Sequence, residues 1–355
     1  MILVLGAGTV GRTIARDISN YDSVTVCDVS PAALKSVDGV RKVKGNIFDH
    51  PHILERADAV ISSLPGSISF GTVSKILGAG KTVIDTSFMP EDPFRLDRIA
   101  NAGRCIYVPD AGYAPGLTNA LAGHIYAEHK PESITIYVGG LPESDTSPLH
   151  HAVTFNVEGL VDEYLRPARM VRDGRIVSVD PLSETVEIDF PQVGRLEGFY
   201  SDGLRTMLKT MKVREMSEIT LRYPGHLAVM RALVCLGFFS GRRIGGCSPR
   251  EISEALLSGT DRNFRDMCVT RVTARWDGRR IDYSSVDRYD SSTSTSSMAR
   301  MTGYSASAFA RIVLGGEIAG SGVMPPEYFG FNSSVFRALL RALRSRGIVF
   351  RKSVQ

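Results

Sequence analysis

The chain has little of several things, and each shortage excludes a class of protein. Only one tryptophan and five cysteines occur in 355 residues. The cysteines (Cys27, Cys105, Cys235, Cys247 and Cys268) are scattered, with no CxxC pair and an odd total, which excludes a disulfide framework and a zinc ribbon. No HExxH and no clustered His/Cys set is present, so no metal site is expected. There is no GxSxG, which removes the esterase reading. Charge of one sign is also missing. The net charge is +4, with basic residues dispersed rather than gathered, so no nucleic-acid partner is indicated. No apolar run reaches membrane-spanning length, and an apolar strand pattern starts at Ile2, leaving no room for a signal peptide. The expectation is a soluble, cytoplasmic protein with reduced thiols and no membrane association.

What is present is an ordinary globular composition, 43% hydrophobic and 23% charged, on a chain long enough for two domains. Up to about residue 125, short β-branched runs alternate with helical stretches. The runs are ILVLG (2–6), SVTVCD (23–28), VRKVKGN (40–46), DAVISSLP (58–65), KTVIDTS (81–87) and RCIYVPD (104–110). Such alternation predicts an α/β fold with a doubly wound parallel sheet, the Rossmann arrangement. A longer helix is predicted over 116–129.

From about 126 to 297 the pattern changes to a mixed-sheet α+β domain. ESITIYVGGL (132–141) and ETVEIDF (184–190) read as strands, and hairpins are predicted to turn at Asp173-Gly174 and Asp277-Gly278. Helices are expected over 203–212, 225–238 and 249–258. SSTSTSSMAR (291–300) reads either as a flexible linker or as a helix start capped by hydroxyls. Residues 298–355 are expected to complete the first domain.

The strongest local signal is Gly6-Ala7-Gly8-Thr9-Val10-Gly11, a GxGxxG between a strand and a helix. Gly6 permits the tight turn, Gly8 lets backbone approach a pyrophosphate, and Gly11 lets helix and strand close up. Thr9 and Val10 open the helix, whose N–H groups face the phosphates. Asp28 ends the second strand about twenty residues on, where a carboxylate accepts both ribose hydroxyls of NAD and repels the 2′-phosphate of NADP. The competing reading of Asp28 is a cap on the next helix. Asn46 is expected near the adenine, and Leu64, Pro65 and Gly66 near the nicotinamide ribose, against ordinary loop roles. NAD is therefore the expected cofactor.

Three segments carry unusual polar density: PDAGYAPGLTNAL (109–121), GFYSDGLRTMLKT (198–210) and LRYPGHLAVMRAL (221–233). Together with SSLPGSIS, DTSFMPEDPF, YVGGLPE, EYLRPARMVRDG, SSMARMTGY and GVMPPE, they make the chain resemble the saccharopine dehydrogenase-like family, nearest its L-lysine 6-dehydrogenase branch. The resemblance implies NAD-dependent oxidation of the ε-amine of L-lysine, with ammonia released and the semialdehyde cyclising to piperideine carboxylate. It also implies a homodimer or higher homo-oligomer. Saccharopine reductases carry Asp-Pro-Gly where this chain has Ala114-Pro115-Gly116, and a sequence nearer Asn-Arg-Asp-Ser at Ser201–Arg205. A saccharopine or carboxynorspermidine reductase is the alternative, and a non-catalytic NAD-binding regulator a third.

Amine oxidation needs a base, a stabiliser for the iminium and a grip on the α-carboxylate. His226 is the candidate base, because its ordinary pKa lies near neutrality; a structural role is the rival reading. Asp110 is the candidate for stabilising the iminium or ordering water, against loop bracing. Arg205 and Arg222 offer forks for the carboxylate, with Asp202 beside them. Tyr113 and Tyr223 are expected to wall the pocket. The adjacent His150-His151 reads as a surface pair.

Overall fold

The computed structural model describes residues 1–145, 148–154, 156–259 and 264–355. The chain divides into two compact units, Met1–His129 with Ala299–Val349, and Lys130–Met298 with Phe350–Gln355. Among the described residues, no helix is long and apolar enough to cross a membrane.

In the first unit the strands are β1 (Ile2–Leu5), β2 (Val24–Asp28), β3 (Arg41–Lys44), β4 (Ala59–Ser62), β5 (Thr82–Asp85) and β6 (Ile106–Val108). They form a wholly parallel sheet in the order β6-β5-β4-β1-β2-β3, and the short strand Gly322–Val323 extends it beside β6. β1 and β4 are buried along their whole length, which is why they read as continuous apolar runs rather than alternating ones. β3 lies at an edge and exposes three of its four residues, Arg41, Lys42 and Lys44, so its charges discourage further pairing. Leu3, Leu5, Val60, Val83 and Tyr107 anchor the core on one side of the sheet. The order reverses between β1 and β4, and such a switch opens a crevice at the carboxyl ends of the strands.

The second unit is built on a mixed sheet. Its strands are β7 (Ser133–Pro142), β8 (Ala168–Arg172), β9 (Arg175–Val179), β10 (Val186–Phe190), β11 (Gly194–Ser201), β12 (Glu215–Arg222), β13 (Asp266–Trp276) and β14 (Arg279–Arg288). The order is β10-β11-β12-β7-β13-β14, closed by the terminal strand Arg351–Val354, with the β8–β9 hairpin attached to β12. β12 and β7 run parallel, while the other pairs are antiparallel. Both expected hairpin turns are present. Asp173-Gly174 and Asp277-Gly278 each place two consecutive residues at positive φ, 47° and 73°, then 45° and 71°. Only that handedness matches the twist of the flanking strands.

The architecture is thus the α/β fold with a second mixed-sheet unit that the periodicity predicts. Local differences have local causes. The helix expected over 203–212 is a single turn, Met207–Thr210, because Arg205 sits at φ 49° and Met211 is extended. The stretch after residue 290 is a turn running into a helix rather than a linker. Asp290 gathers Ser292 and Thr293 into a turn. The helix Ser297–Leu314 is then capped by Asp266 of β13, whose carboxylate accepts from the Ser297 and Met298 backbone N–H groups at 2.7 and 2.9 Å.

Candidate functional site

The glycine loop follows β1, and each glycine meets a different constraint. Gly6 has φ +93°, and a Cβ there would stand 2.4 Å from the Ser63 carbonyl oxygen. A Cβ on Gly11 would lie 2.0 Å from the Gly6 oxygen. Gly8 has no atom within 4 Å of its Cβ position. Protein packing therefore accounts for Gly6 and Gly11, while the Cβ side of Gly8 is open space. The helix Thr9–Ile18, containing Thr9 and Val10, has no side-chain cap and no acidic residue in its first turn. Its leading N–H groups keep their positive character for an anion.

Asp28 closes this corner. Its Oδ2 accepts from the Ala7 N–H at 2.6 Å and its Oδ1 from the Ser30 N–H at 2.7 Å. The next helix is capped by Ser30, whose Oγ accepts from the Ala33 N–H, so helix capping does not explain Asp28. A carboxylate oxygen holding one backbone bond retains capacity for a hydroxyl donor. Leu64 reaches to 3.7 Å from the Cβ position of Gly6, placing the Leu64-Pro65-Gly66 loop against the glycine loop. A Cβ on Gly66 would lie 2.5 Å from the Phe88 oxygen. Asn46 caps a short turn through the Phe48 N–H at 3.1 Å, the local role that competed with adenine contact.

At the carboxyl end of β5 lies Asp85, which sequence reasoning did not single out. It is fully buried and accepts from Ser87 Oγ at 2.7 Å, Ser69 Oγ at 3.0 Å and Tyr107 Oη at 3.3 Å. Burial pushes its pKa up to about 6, against the hydrogen bonds that pull it down. The only sequence signal was an acid ending an apolar run and followed by Thr86-Ser87. Asp85 also fixes the next segment, since its carbonyl accepts from the Ala111 N–H at 2.7 Å. Residues 109–119 form a tight knot around a cis Ala114–Pro115 bond and Gly116 at φ 130°. Asn119 Oδ1 ties it by accepting from the Gly116 N–H and Thr118 Oγ1. Asp110, at φ 50°, and Tyr113 are both buried within this knot.

The second unit holds a different polar cluster. His226 begins the helix His226–Cys235 after Gly225 at φ 100°, and is 2% exposed. Its Nδ1 faces the Leu149 carbonyl at 2.6 Å and must donate, which leaves Nε2 to accept from Tyr164 Oη at 2.7 Å. Burial, then the Arg222 charge, lower its pKa to about 3. Burial pushes the Tyr164 phenol up to about 12, so it keeps its proton. Tyr164 Oη accepts from Arg222 Nε at 3.1 Å. Arg222 donates from its remaining nitrogens to the Leu221 carbonyl at 3.0 Å and to Glu163 at 2.6 Å. His226 and Arg222 are thus brought together, with both ring nitrogens bonded and three of the five guanidinium N–H groups donating.

His151 is buried, not on the surface as its neighbourhood suggested, and packs edge-on to His226 with centroids 5.1 Å apart. His150 is half-buried and pairs with Asp145 at 2.9 Å. Asp202 takes both prongs of Arg169 at 2.8 and 2.7 Å. The buried Arg205, in the same turn as Asp202, contributes to lowering the pKa of Arg166, after the larger effect of burial. Tyr223 points elsewhere and donates to the Pro142 carbonyl at 2.8 Å.

Residues 112–348 match the family described as the saccharopine dehydrogenase C-terminal domain. Among curated relatives, the Saccharomyces cerevisiae saccharopine dehydrogenase [NADP(+), L-glutamate-forming] is 25% identical over 66% of this chain and 58% of that one. The Arabidopsis thaliana alpha-aminoadipic semialdehyde synthase is 24% identical over 67% of this chain but only 27% of its own length. A carboxyaminopropylagmatine dehydrogenase from Synechocystis is 22% identical, covering 65% of each chain. Among solved structures, the apo saccharopine dehydrogenase (L-Glu forming) from Saccharomyces cerevisiae has a TM-score of 0.78 and 20% identity, covering 100% of this chain and 99% of that one. That likeness establishes a shared fold.

Proposed function

The chain belongs to the saccharopine dehydrogenase family, and on that premise we propose that it is an NAD-dependent dehydrogenase that deaminates the ε-amine of L-lysine. The observation that carries the cofactor half is Asp28, a carboxylate bonded to the Ala7 N–H beside the open face of Gly8. These residues fit a dinucleotide: Gly6, Gly8, Gly11 and the start of the Thr9–Ile18 helix hold the pyrophosphate, and Asp28 takes the ribose hydroxyls. A second negative group at the ribose would face the Asp28 charge, which favours NAD over NADP. When bound, NAD supplies the hydride acceptor.

The protein's own groups then have three tasks. Oxidation requires the ε-amine to lose a proton before its carbon gives up hydride, and water must attack the resulting iminium, releasing ammonia. In this reading Asp110 holds the proton or orders the water, and Arg205 receives the α-carboxylate. His226 and Arg222 act as positioning residues, joined through Tyr164. The relatives support a second reading, oxidation of a substituted amine such as saccharopine, since two of them are named for such substrates.

Purified protein given NAD and L-lysine should generate NADH and ammonia in equal amounts, with NADP far poorer. Turnover of saccharopine but not lysine would overturn the lysine assignment while leaving the dehydrogenase standing. Replacing Asp28 by Ala should weaken NADH binding by roughly tenfold; an unchanged affinity would remove the ribose assignment.

A further inference from the structure

Turns ordinarily run over the surface with their polar side chains in water. The turn after β11 does the opposite. Ser201, Asp202, Leu204, Arg205 and Thr206 are each at most 8% exposed. Charged side chains are rarely buried to that degree unless their surroundings fix them. Arg205 also sits at φ 49°, a left-handed conformation that residues other than glycine hold only where the packing around them imposes it.

The packing comes from β12. Its antiparallel register sets Glu218 opposite Ser201, with Thr220 next along the same face of the strand. Glu218 is 4% exposed, and its Oε1 accepts from Ser201 Oγ at 2.9 Å. Thr220 Oγ1 donates to the same Ser201 Oγ at 2.8 Å, so that hydroxyl is held from two sides. Beyond Ser201 the carboxylate closes over Gly203. A Cβ there would stand 1.8 Å from Oε1 and 2.1 Å from both Cδ and Oε2. The acid therefore fills the space a side chain at 203 would need, and only glycine permits so close an approach. Asp202 is gripped in turn by both prongs of Arg169, at 2.8 and 2.7 Å. The backbone leading into Arg205 is thus fixed at Ser201, Asp202 and Gly203.

We propose that Glu218 is a positioning residue for the amino-acid substrate, one that aims Arg205 at the α-carboxylate by anchoring Ser201 and filling the space over Gly203. It rests on the reading in which Arg205 receives that carboxylate. A guanidinium grips a carboxylate through two parallel N–H bonds, a geometry that tolerates little rotation. The arginine stem is long and does not hold its own fork in place, so a loosely supported site loses affinity. A turn pinned at three consecutive residues supplies the missing order. Glu218 thereby acts on a contact made equally before and during the oxidation, so its effect falls on KM and leaves kcat.

Steady-state kinetics of the full chain test this, with NAD and whichever of L-lysine and saccharopine it oxidises. Glu218→Ala should raise KM for the amino acid by at least roughly tenfold, with kcat within about threefold and KM for NAD unchanged. Arg205→Ala should raise the same KM, and adding Glu218→Ala to it should raise KM no further, because the two act through one contact. If Arg205→Ala raises KM but Glu218→Ala does not, Glu218 is not the positioning residue and the carboxylate reading of Arg205 stands. Fully additive effects, or a loss in kcat rather than KM, also overturn the proposal while sparing that reading. If Arg205→Ala leaves KM unchanged, or neither amino acid is oxidised, the reading falls and the proposal with it. Should Glu218→Ala fail to fold, Ser201→Ala removes only the hydroxyl between the two strands. It should raise KM severalfold in the wild type and not at all beside Arg205→Ala; an unchanged KM in the wild type overturns the proposal.

Discussion

The glycine-loop corner and the His226–Arg222 cluster both concentrate residues of functional type, yet they are built on opposite plans. In the first, space is left beside the backbone: a Cβ on Gly8 would meet nothing within 4 Å. In the second, polar side chains are locked together from Leu149 through His226, Tyr164 and Arg222 to Glu163. An open corner leaves room beside the backbone, which in the proposed reading the dinucleotide takes. A buried network whose members satisfy one another holds a shape, because any group left without its partner costs free energy. Residue type alone does not separate the two.

The sharpest way to break this comparison is Arg222→Ala. If the cluster is a scaffold, Glu163 and Tyr164 lose their partner and denaturation by urea should show a loss of about 3 kcal/mol or more. An arginine kept for substrate would instead leave stability intact and raise only the KM for the amino acid. At the other pole, Gly8→Ala should weaken NADH binding by roughly tenfold without moving the thermal midpoint, because no protein atom crowds that Cβ. Gly11→Ala should lower both affinity and stability, the latter by about 1–3 kcal/mol, because its Cβ would stand 2.0 Å from the Gly6 oxygen. Equal behaviour of the two alanine variants would dissolve the distinction between packing and receiving glycines.

The smallest effect expected near neutrality is in pH dependence, where the two units differ in sign. The folded chain protonates His226 only near pH 3, against an ordinary 6.5. Unfolded chain therefore binds the extra proton, and stability falls as pH drops from 6.5 toward 3. For Asp85 the folded carboxyl takes its proton near 6, against an ordinary 3.8, so stability rises as pH falls through that window. Each slope is limited to about 1.4 kcal/mol per pH unit. Thermal scans of His226→Phe and Asp85→Asn should each flatten its own limb; the same direction of change in both would refute the assignment.

The legibility of the two regions in sequence follows the same division. Gly6, Gly8, Gly11 and Asp28 could be placed because spacing along one strand–loop–helix unit brings them together. The hairpins at Asp173-Gly174 and Asp277-Gly278 were legible for the same local reason. Asp85 was missed, although the apolar run containing it was read as a strand, because its partners Ser69 and Tyr107 lie on other elements. β11 and β12 went unread as strands since their polar ends drew notice as site segments. His151 gave no warning of burial, because nothing in an adjacent histidine pair says which one turns inward.

By itself the sequence determined the alternation of elements, the parallel sheet, the turns and the glycine corner, all set by steric rules acting over a few residues. Only the tertiary structure decided that Arg222 grips Glu163 rather than standing open. It alone decided that Asp266, on a distant strand, caps the helix at Ser297. Burial and long-range pairing are properties of the packed chain, and they set whether a reactive side chain is available for chemistry or already committed to its neighbours.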